Sequence, residues 1–337
     1  MGVTMKDVAR MAGVSSATVS HVINKSRHVN DKTRKKVMKA VHELNYNINF
    51  VARNLRRGTS KLVGFIVCNM ADYFFTTVAN GVESVLKENG YNLLLVNADE
   101  KKAVEMAESQ MLFNHSVAGV IIAPATEECG YLDHIFGKDF PIVFLDRKPT
   151  ETERDVVLAS NTKGVCNAVS FLIQKGHRRI AFLSTHILDV TMAERFSGYK
   201  TALERFDIPF DMSLVRIGDE DPKINHDLMT GQGYSFMQDI FKHTDATAVF
   251  MGNNLSAMGG YYYLKDSGCL VPDEMAVIAF DDSLWTSMTT PSVTVVRQPG
   301  VDIGKHAAQL LINRISGDRK PFAEVRLPTS LILRGSC

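Results

Sequence analysis

VTMKDVARMAGVSSATVSHVIN, residues 3–24, holds two short amphipathic periods on either side of a glycine. Thr4 followed three residues later by Asp7 has the spacing of a capping box, with Asp a shorter stand-in for the usual Glu. Met5, Val8, Ala9 and Ala12 then fall at i, i+3, i+4 and i+7, the period of a helix that buries one face. The pattern stops at Gly13. Ser15 is a good N-cap for a second helix running to about Asn24, with Val19, Val22 and Ile23 facing inward. Small Ala9 lets the helices cross closely and Gly13 can supply the bend between them, so the segment is expected to form a helix-turn-helix. A third helix, from an Asn30 or Asp31 cap to about Asn45, offers Val37, Val41 and Leu44 to close a small core.

That packing leaves Ser16, Ala17, Ser20, His21 and Asn24 on the outer face of the second helix. These side chains are short enough for the helix to enter a major groove, and they offer hydrogen bonds to base edges and an apolar contact for a thymine methyl. Taken alone, His21 is more often a surface histidine than a base reader; its place on this face favours the reader. Residues 46–60, YNINFVARNLRRGTS, carry no core pattern beyond Val51 and Leu55. A helix of about eight residues is shorter than the roughly 12 to 15 that hold together alone in water, so VARNLRR is expected to order only on a partner. Duplex DNA would be such a partner: Arg53, Arg56 and Arg57 could neutralise phosphates while Leu55 wedges into the minor groove. The plainer alternative is a basic linker with Leu55 packed on the rest of the chain.

Charge points the same way. Residues 1–61 carry thirteen Lys or Arg against Asp7, Asp31 and Glu43, a balance of +10, while the whole chain is +1, so the other 276 residues carry −9. A basic head on a mildly acidic body is the footprint of a polyanion binder. At 337 residues, 45% apolar and 22% charged, the chain is too long for one small core and too apolar for disorder. No apolar run approaches the ~18 residues of a membrane span. The N-terminus carries charge where an export signal needs an apolar stretch, which predicts a cytoplasmic, nucleoid-associated location. Five cysteines, never closer than 37 positions, write neither a disulfide framework nor a zinc pair and are expected to be buried thiols.

Residues 3–60 resemble the DNA-binding headpiece and hinge of the lactose-repressor (LacI) family, and TVSHVINK is most similar to its purine- and ribose-repressor branch. The resemblance runs about sixty residues without a gap and continues more loosely to the C-terminus. It implies base reading by Ser16, Ala17 and His21, and an intercalating hinge leucine at Leu55. It further implies DNA contacts from Thr4, Ser15, Thr18, Ser20, Asn24, His28, Asn49, Ala52, Arg53 and Arg56. Family members bind pseudo-palindromic operators as dimers, in keeping with two-fold proteins reading two-fold sites. A homodimer or tetramer is therefore expected, and in one branch a protein corepressor assists.

From Lys61 onward the texture changes to apolar runs alternating with helix-length segments: LVGFIV, YNLLLVN, VAGVIIAP, PIVFLD, RRIAFLS, ATAVFMG and MAVIAFDD. Such runs predict parallel strands buried on both faces. Helices are expected at 76–89, 102–114, 164–175, 193–206, 232–242, 256–267 and 301–315. The fold class expected is an all-α helix-turn-helix headpiece joined to an α/β, periplasmic-binding-protein-like body of two doubly wound parallel-sheet subdomains. The divisions are a headpiece over 1–46, a hinge over 47–60, an N-terminal effector subdomain over 61–160 plus 291–324, and a C-terminal one over 161–290 plus 325–337. The related family crosses between halves three times, here near 160–162, 290–293 and 322–327.

In open α/β sheets ligands sit beyond the carboxyl ends of the strands. Those ends offer Asp72, Tyr73, Phe74 and Phe75, then Asp146 and Arg147, Asn253 and Asn254, Asp281 and Asp282, and Gln298. Arg195 in ERFSGY looks like the family's effector-binding arginine. Carboxylates, amides and an arginine around aromatic faces suit a polyhydroxylated ligand, a sugar or a nucleoside. Each residue has a duller reading: Asn254 or Asp282 as a cap, Tyr73 or Phe74 as core. The family more often has Asp at position 254, and Asp189 and Val190 stand where the purine branch has a basic ligand contact, which argues against a purine base. No cofactor, metal or membrane is implied. Two other readings stay open, a cytosolic solute receptor and a sugar-processing enzyme with incidental DNA affinity. The chain lacks G-x-x-x-x-G-K-[ST], G-x-S-x-G and H-E-x-x-H, and GQGYSF lacks the last glycine of a dinucleotide fingerprint.

Overall fold

The computed structural model describes residues 3–24, 27–44, 46, 60–184, 190–218 and 226–337, with the side chains of 24 and 226–230 left aside. It divides into two compact units, 1–59 and 60–337. In the first, helices α1 (Met5–Ala12), α2 (Ser16–Asn24) and α3 (Asp31–Glu43) follow the apolar periods of the sequence. The capping box forms: the Thr4 N–H donates to Asp7 Oδ2 at 2.9 Å and the Thr4 hydroxyl to the same oxygen at 2.5 Å. Gly13 ends α1 in the left-handed region, φ 65°, which glycine reaches without Cβ strain. The Ser15 hydroxyl accepts from the Thr18 N–H and Asn30 from the Lys32 N–H, capping α2 and α3. Val8, Ala9, Ala12, Val19, Val22, Val37 and Ala40 are buried together.

The second unit holds two six-stranded sheets. The first contains β1 (Leu62–Val67), β2 (Asn92–Asn97), β3 (Val120–Ile122), β4 (Ile142–Leu145), β5 (Asp155–Ala159) and β11 (Glu324–Leu327), in the order β11-β5-β4-β3-β1-β2, all parallel. The second contains β6 (Ile180–Ser184), β7 (Val215–Ile217), β8 (Ala248–Met251), β9 (Ala276–Phe280), β10 (Thr294–Arg297) and β12 (Ser330–Ile332), in the order β12-β10-β9-β8-β6-β7, with only β12 antiparallel. Each lobe thus repeats the doubly wound order 2-1-3-4-5 with one added edge strand.

Alternate residues of each strand feed opposite faces, and both faces are covered. Phe65 meets Val78, Val82, Ile303 and Leu311 of α4 (Tyr73–Glu88) and α12 (Gly300–Ile315), while Ile66 meets Leu112 and Leu132 of α5 (Lys102–Asn114) and α6 (Tyr131–Phe136). In the second lobe Phe182 and Phe250 pack on Val165, Val169 and Tyr199 of α7 (Asn161–Gln174) and α8 (Val190–Arg205). Leu183 and Met251 pack on α9 (His226–His243) and α10 (Asn254–Asp266). A short helix, α11 (Leu284–Met288), follows β9.

The chain leaves the first sheet after Ala159. The expected second crossing and the last subdomain boundary need correction. β10, assigned above to the first subdomain, pairs with β9 in the second sheet, so the return follows Arg297 rather than 290–293. β11, largely assigned to the second subdomain, pairs with β5 in the first sheet, so the last crossing follows Leu327. The reason is hydrogen bonding: each strand completes a ladder that the earlier boundary would leave open. The cysteines at 68, 129, 166 and 269 are buried and Cys337 is half-buried, all with free thiols.

Candidate functional site

On the outer face of α2 Ala17 is exposed, and Ser16, Thr18, Ser20 and His21 are half-buried beside buried Val19 and Val22. Thr4 and Ser15 stay exposed while serving as caps, and His28 is exposed. The Asn24 side chain, Asn49, Val51, Ala52, Arg53, Leu55, Arg56 and Arg57 lie outside the described residues, as does Asp189.

In the body, the carboxyl ends of the strands meet in a cleft between the two lobes. Asp72, Phe74, Asp146 and Arg147 come from the first lobe, and Arg195, Asn253, Asn254, Asp281 and Gln298 from the second; together they line a cavity of about 60 Å³. Tyr73 does not line it. One residue along a helix turns a side chain by about 100°, so Phe74 points in while Tyr73 borders a neighbouring depression with Asp282, Leu284, Arg297 and Val301. Asn69, Glu100, Thr191, Met192 and Leu255 line the cleft and were not expected. Asn69 and Thr191 had a local signal, a polar residue just past a strand or at a helix start. Glu100 had none, because the arginine that binds its carboxylate, Arg147, is 47 residues away.

The lobes use the same devices. Asp146 follows β4 and Asp281 follows β9, both in the left-handed region (φ 63° and 76°), and each N–H bonds the next strand, to Val157 O and Val296 O. This kink turns a carboxylate off the strand end into the cleft; aspartate tolerates it better than most residues. Asp72 caps α4 through the Phe74 N–H at 3.0 Å, and Asn253 caps α10 through the Ser256 N–H at 2.9 Å. The cap is therefore Asn253, not Asn254, whose Oδ1 accepts from the Ser283 hydroxyl and the Trp285 indole. Asp282 neither caps the helix that follows, whose N-cap is Ser283, nor lines the cleft: Arg334 and Arg297 hold it, which keeps its carboxyl below the ordinary range despite burial.

Arg195 is buried, with its guanidinium 3.7 Å from the centre of the Phe280 ring. Its Nε donates to Asn161 Oδ1 at 3.2 Å and its Nη1 to Gly252 O at 2.9 Å. Arg147 grips Glu100 with both Nη atoms, at 2.7 and 3.1 Å. Burial, and then the negative charge of Asp281, push the Asp72 carboxyl up to about 7. Burial also raises Asp281, opposed by Arg195 and by the 2.7 Å bond from Gln298 Nε2. Gln298 Oε1 is buried and has no hydrogen-bond partner among the described residues. The cleft thus presents many acceptors and one buried guanidinium, a set suited to a ligand rich in hydroxyl donors. Thr191 Oγ1 donates to Asp146 O at 3.0 Å, a direct bond between lobes. Among the described residues no cluster of His, Cys, Asp or Glu could hold a metal ion, and no helix is long and apolar enough to cross a membrane.

Residues 4–49 match the family described as bacterial regulatory proteins, lacI family, and residues 169–337 match a periplasmic binding protein-like domain. A Vibrio atlanticus protein named HTH-type transcriptional repressor PurR is 36% identical over 93% of this chain and 92% of its own length. A Vibrio vulnificus protein of the same name is 33% identical over 98% and 97%. The chain belongs to the lacI family of bacterial regulatory proteins. Its fold matches that of a lac repressor dimer bound to operator and the anti-inducer ONPF, with TM-score 0.86, 26% identity and coverage of 100% and 99% of the two chains. It also matches a LacI-family regulator from Enterococcus faecium with bound ribose, at TM-score 0.72, 27% identity and coverage of 82% and 98%. It is a ligand-responsive transcriptional regulator of the purine-repressor type and not an enzyme. The lacI-family match starts at the capping residue Thr4 and spans all three helices of the small unit.

Proposed function

We propose that the protein represses transcription as a homodimer on a pseudo-palindromic operator, and that a small sugar-like or nucleoside-like effector in the cleft sets its operator affinity. The observation that carries this is the convergence of strand-end carboxylates and one buried arginine, drawn from both lobes, on a single cavity. A ligand gripped by both walls favours one relation of the lobes, and differential affinity between conformations is what lets a ligand shift an equilibrium. Ser16, Ala17 and His21 on α2 read base edges, and the hinge arginines with Leu55 add phosphate and minor-groove contacts.

The curated relatives bear the purine-repressor name. In this chain the surplus of acceptors favours ligand hydroxyls, so a free purine base is the weaker fit and a sugar or nucleoside the stronger. Thermal-shift measurements on the full chain with free sugars, nucleosides and purine bases test this. Stabilisation by a sugar or nucleoside is expected; stabilisation by bases alone would contradict it.

A further inference from the structure

Glu194 sits on α8 beside the effector arginine, yet its side chain does not line the cleft. Its two carboxylate oxygens are divided between the lobes. Oε2 accepts from Asn161 Nδ2 at 3.0 Å, where the chain first enters the second lobe, and Oε1 accepts from Arg326 Nη1 at 2.7 Å, on β11 of the first sheet. The backbone carbonyl of Glu194 also accepts from the Thr162 hydroxyl at 3.1 Å. Asn161 is buried and uses its other amide atom, Oδ1, to hold Arg195 Nε. One path of direct bonds therefore runs from Arg326 through Glu194 and Asn161 to Arg195. The two crossing segments it joins are packed hard together: a Cβ on Gly164 would come within 2.2 Å of the Thr329 hydroxyl.

We propose that Glu194 is a positioning residue that makes the setting of Arg195 depend on the relation between the lobes. Through Asn161 it fixes the guanidinium; through Arg326 it is itself fixed to the first sheet at the pivot. When the lobes turn about the crossings, β11 carries Arg326 relative to α8, and the Glu194 carboxylate must follow one partner or the other. Arg195 lines the cleft beside Asp72 and Asp281, and the aim of its guanidinium changes with that choice. The inference rests on the reading of the cleft as the effector site. It adds that ligand capture and lobe angle are linked through a side chain that touches neither ligand nor cleft.

The test uses the full-length protein with 15N-labelled arginine and follows the Nε–H signal of Arg195, assigned by its loss in Arg195→Lys. Glu194→Gln and Arg326→Gln are each expected to speed exchange of that proton with water by about tenfold, and the double variant by no more than the larger single effect. An effect of Arg326→Gln at Arg195, reached only through two intervening side chains, is what a merely local structural role would not give. Unchanged exchange in Arg326→Gln, or additive effects in the double variant, would overturn the proposal. D-ribose, added to the wild type, is expected to shift the same signal. If ribose, the other sugars and nucleosides all leave it in place, the reading of the cleft fails, while the comparison of variants still decides the relay.

Discussion

Asp72 caps a helix and shares the cleft with a second carboxylate, and the two situations make opposite demands on its proton. The cap favours the ionised form, burial and Asp281 the neutral one, and the latter prevail, lifting the group from 3.8 to about 7. Between those values the folded chain keeps a proton that the unfolded chain has lost, so this group's contribution to stability is present below about pH 4 and is lost as pH rises to about 7. Asp72→Asn retains a good cap and cannot ionise. Its melting temperature is expected to exceed the wild type's by a few °C at pH 8 and to equal it near pH 4; the reverse order in a pH series of melts would refute the charge argument. Arg195→Met keeps an apolar stem under the Phe280 ring but removes every donor, and is expected to weaken effector binding about 100-fold by calorimetry with the fold intact. Most of these cleft groups were legible in the sequence because they follow apolar runs directly. Which of two neighbours does which job was not: Asn253 and Asn254, or Tyr73 and Phe74, are separated only by the turn of a helix, and Glu100 meets Arg147 from 47 positions away.

Elements with a strong period declared themselves; elements held by distant partners did not. The three headpiece helices and the central strands follow from spacing, and the 102–114 helix has the expected bounds. β5 begins with Asp155, a residue that argues against a strand until its partner is seen: Arg314, 159 positions on, binds both its oxygens at 2.6 and 2.9 Å. β11 alternates charged and apolar residues, β12 has only three residues, both at sheet edges, and α6 is too short to show a period. Helix pairing was equally hidden. Gly304 of α12 lies so close to α4 that a Cβ would stand 2.1 Å from Val78 O. Alanine in a helix interior normally gains about 1 kcal/mol over glycine. Here Gly304→Ala is expected to cost about 1 to 3 kcal/mol from overpacking, seen as a lower urea midpoint with unchanged slope; a gain would mean the helices can part freely. On α2, His21→Ala is expected to relax preference at one symmetric operator position by ~1 to 3 kcal/mol. Selection of bound sites from random duplexes checks it, and an unchanged consensus removes His21 from the readers.

At the level of the whole molecule, charge and architecture divide the work. The +10 of residues 1–61 supplies attraction to any duplex, and the −9 of the remainder keeps the body from joining in. On the proposed function, discrimination comes from the α2 face and from the geometry that a dimeric body would impose, and control from a cleft whose two walls a ligand can bridge. Coupling of ~1 to 3 kcal/mol between cleft and operator suffices to switch occupancy. The most direct measurement is a titration of a labelled pseudo-palindromic duplex and its scrambled counterpart with the full-length protein, with and without the ligand that raises its melting temperature. The account predicts tighter binding to the symmetric duplex and a ligand-dependent change in that affinity of between about five- and 150-fold. Equal affinity for both duplexes, unmoved by ligand, would contradict it.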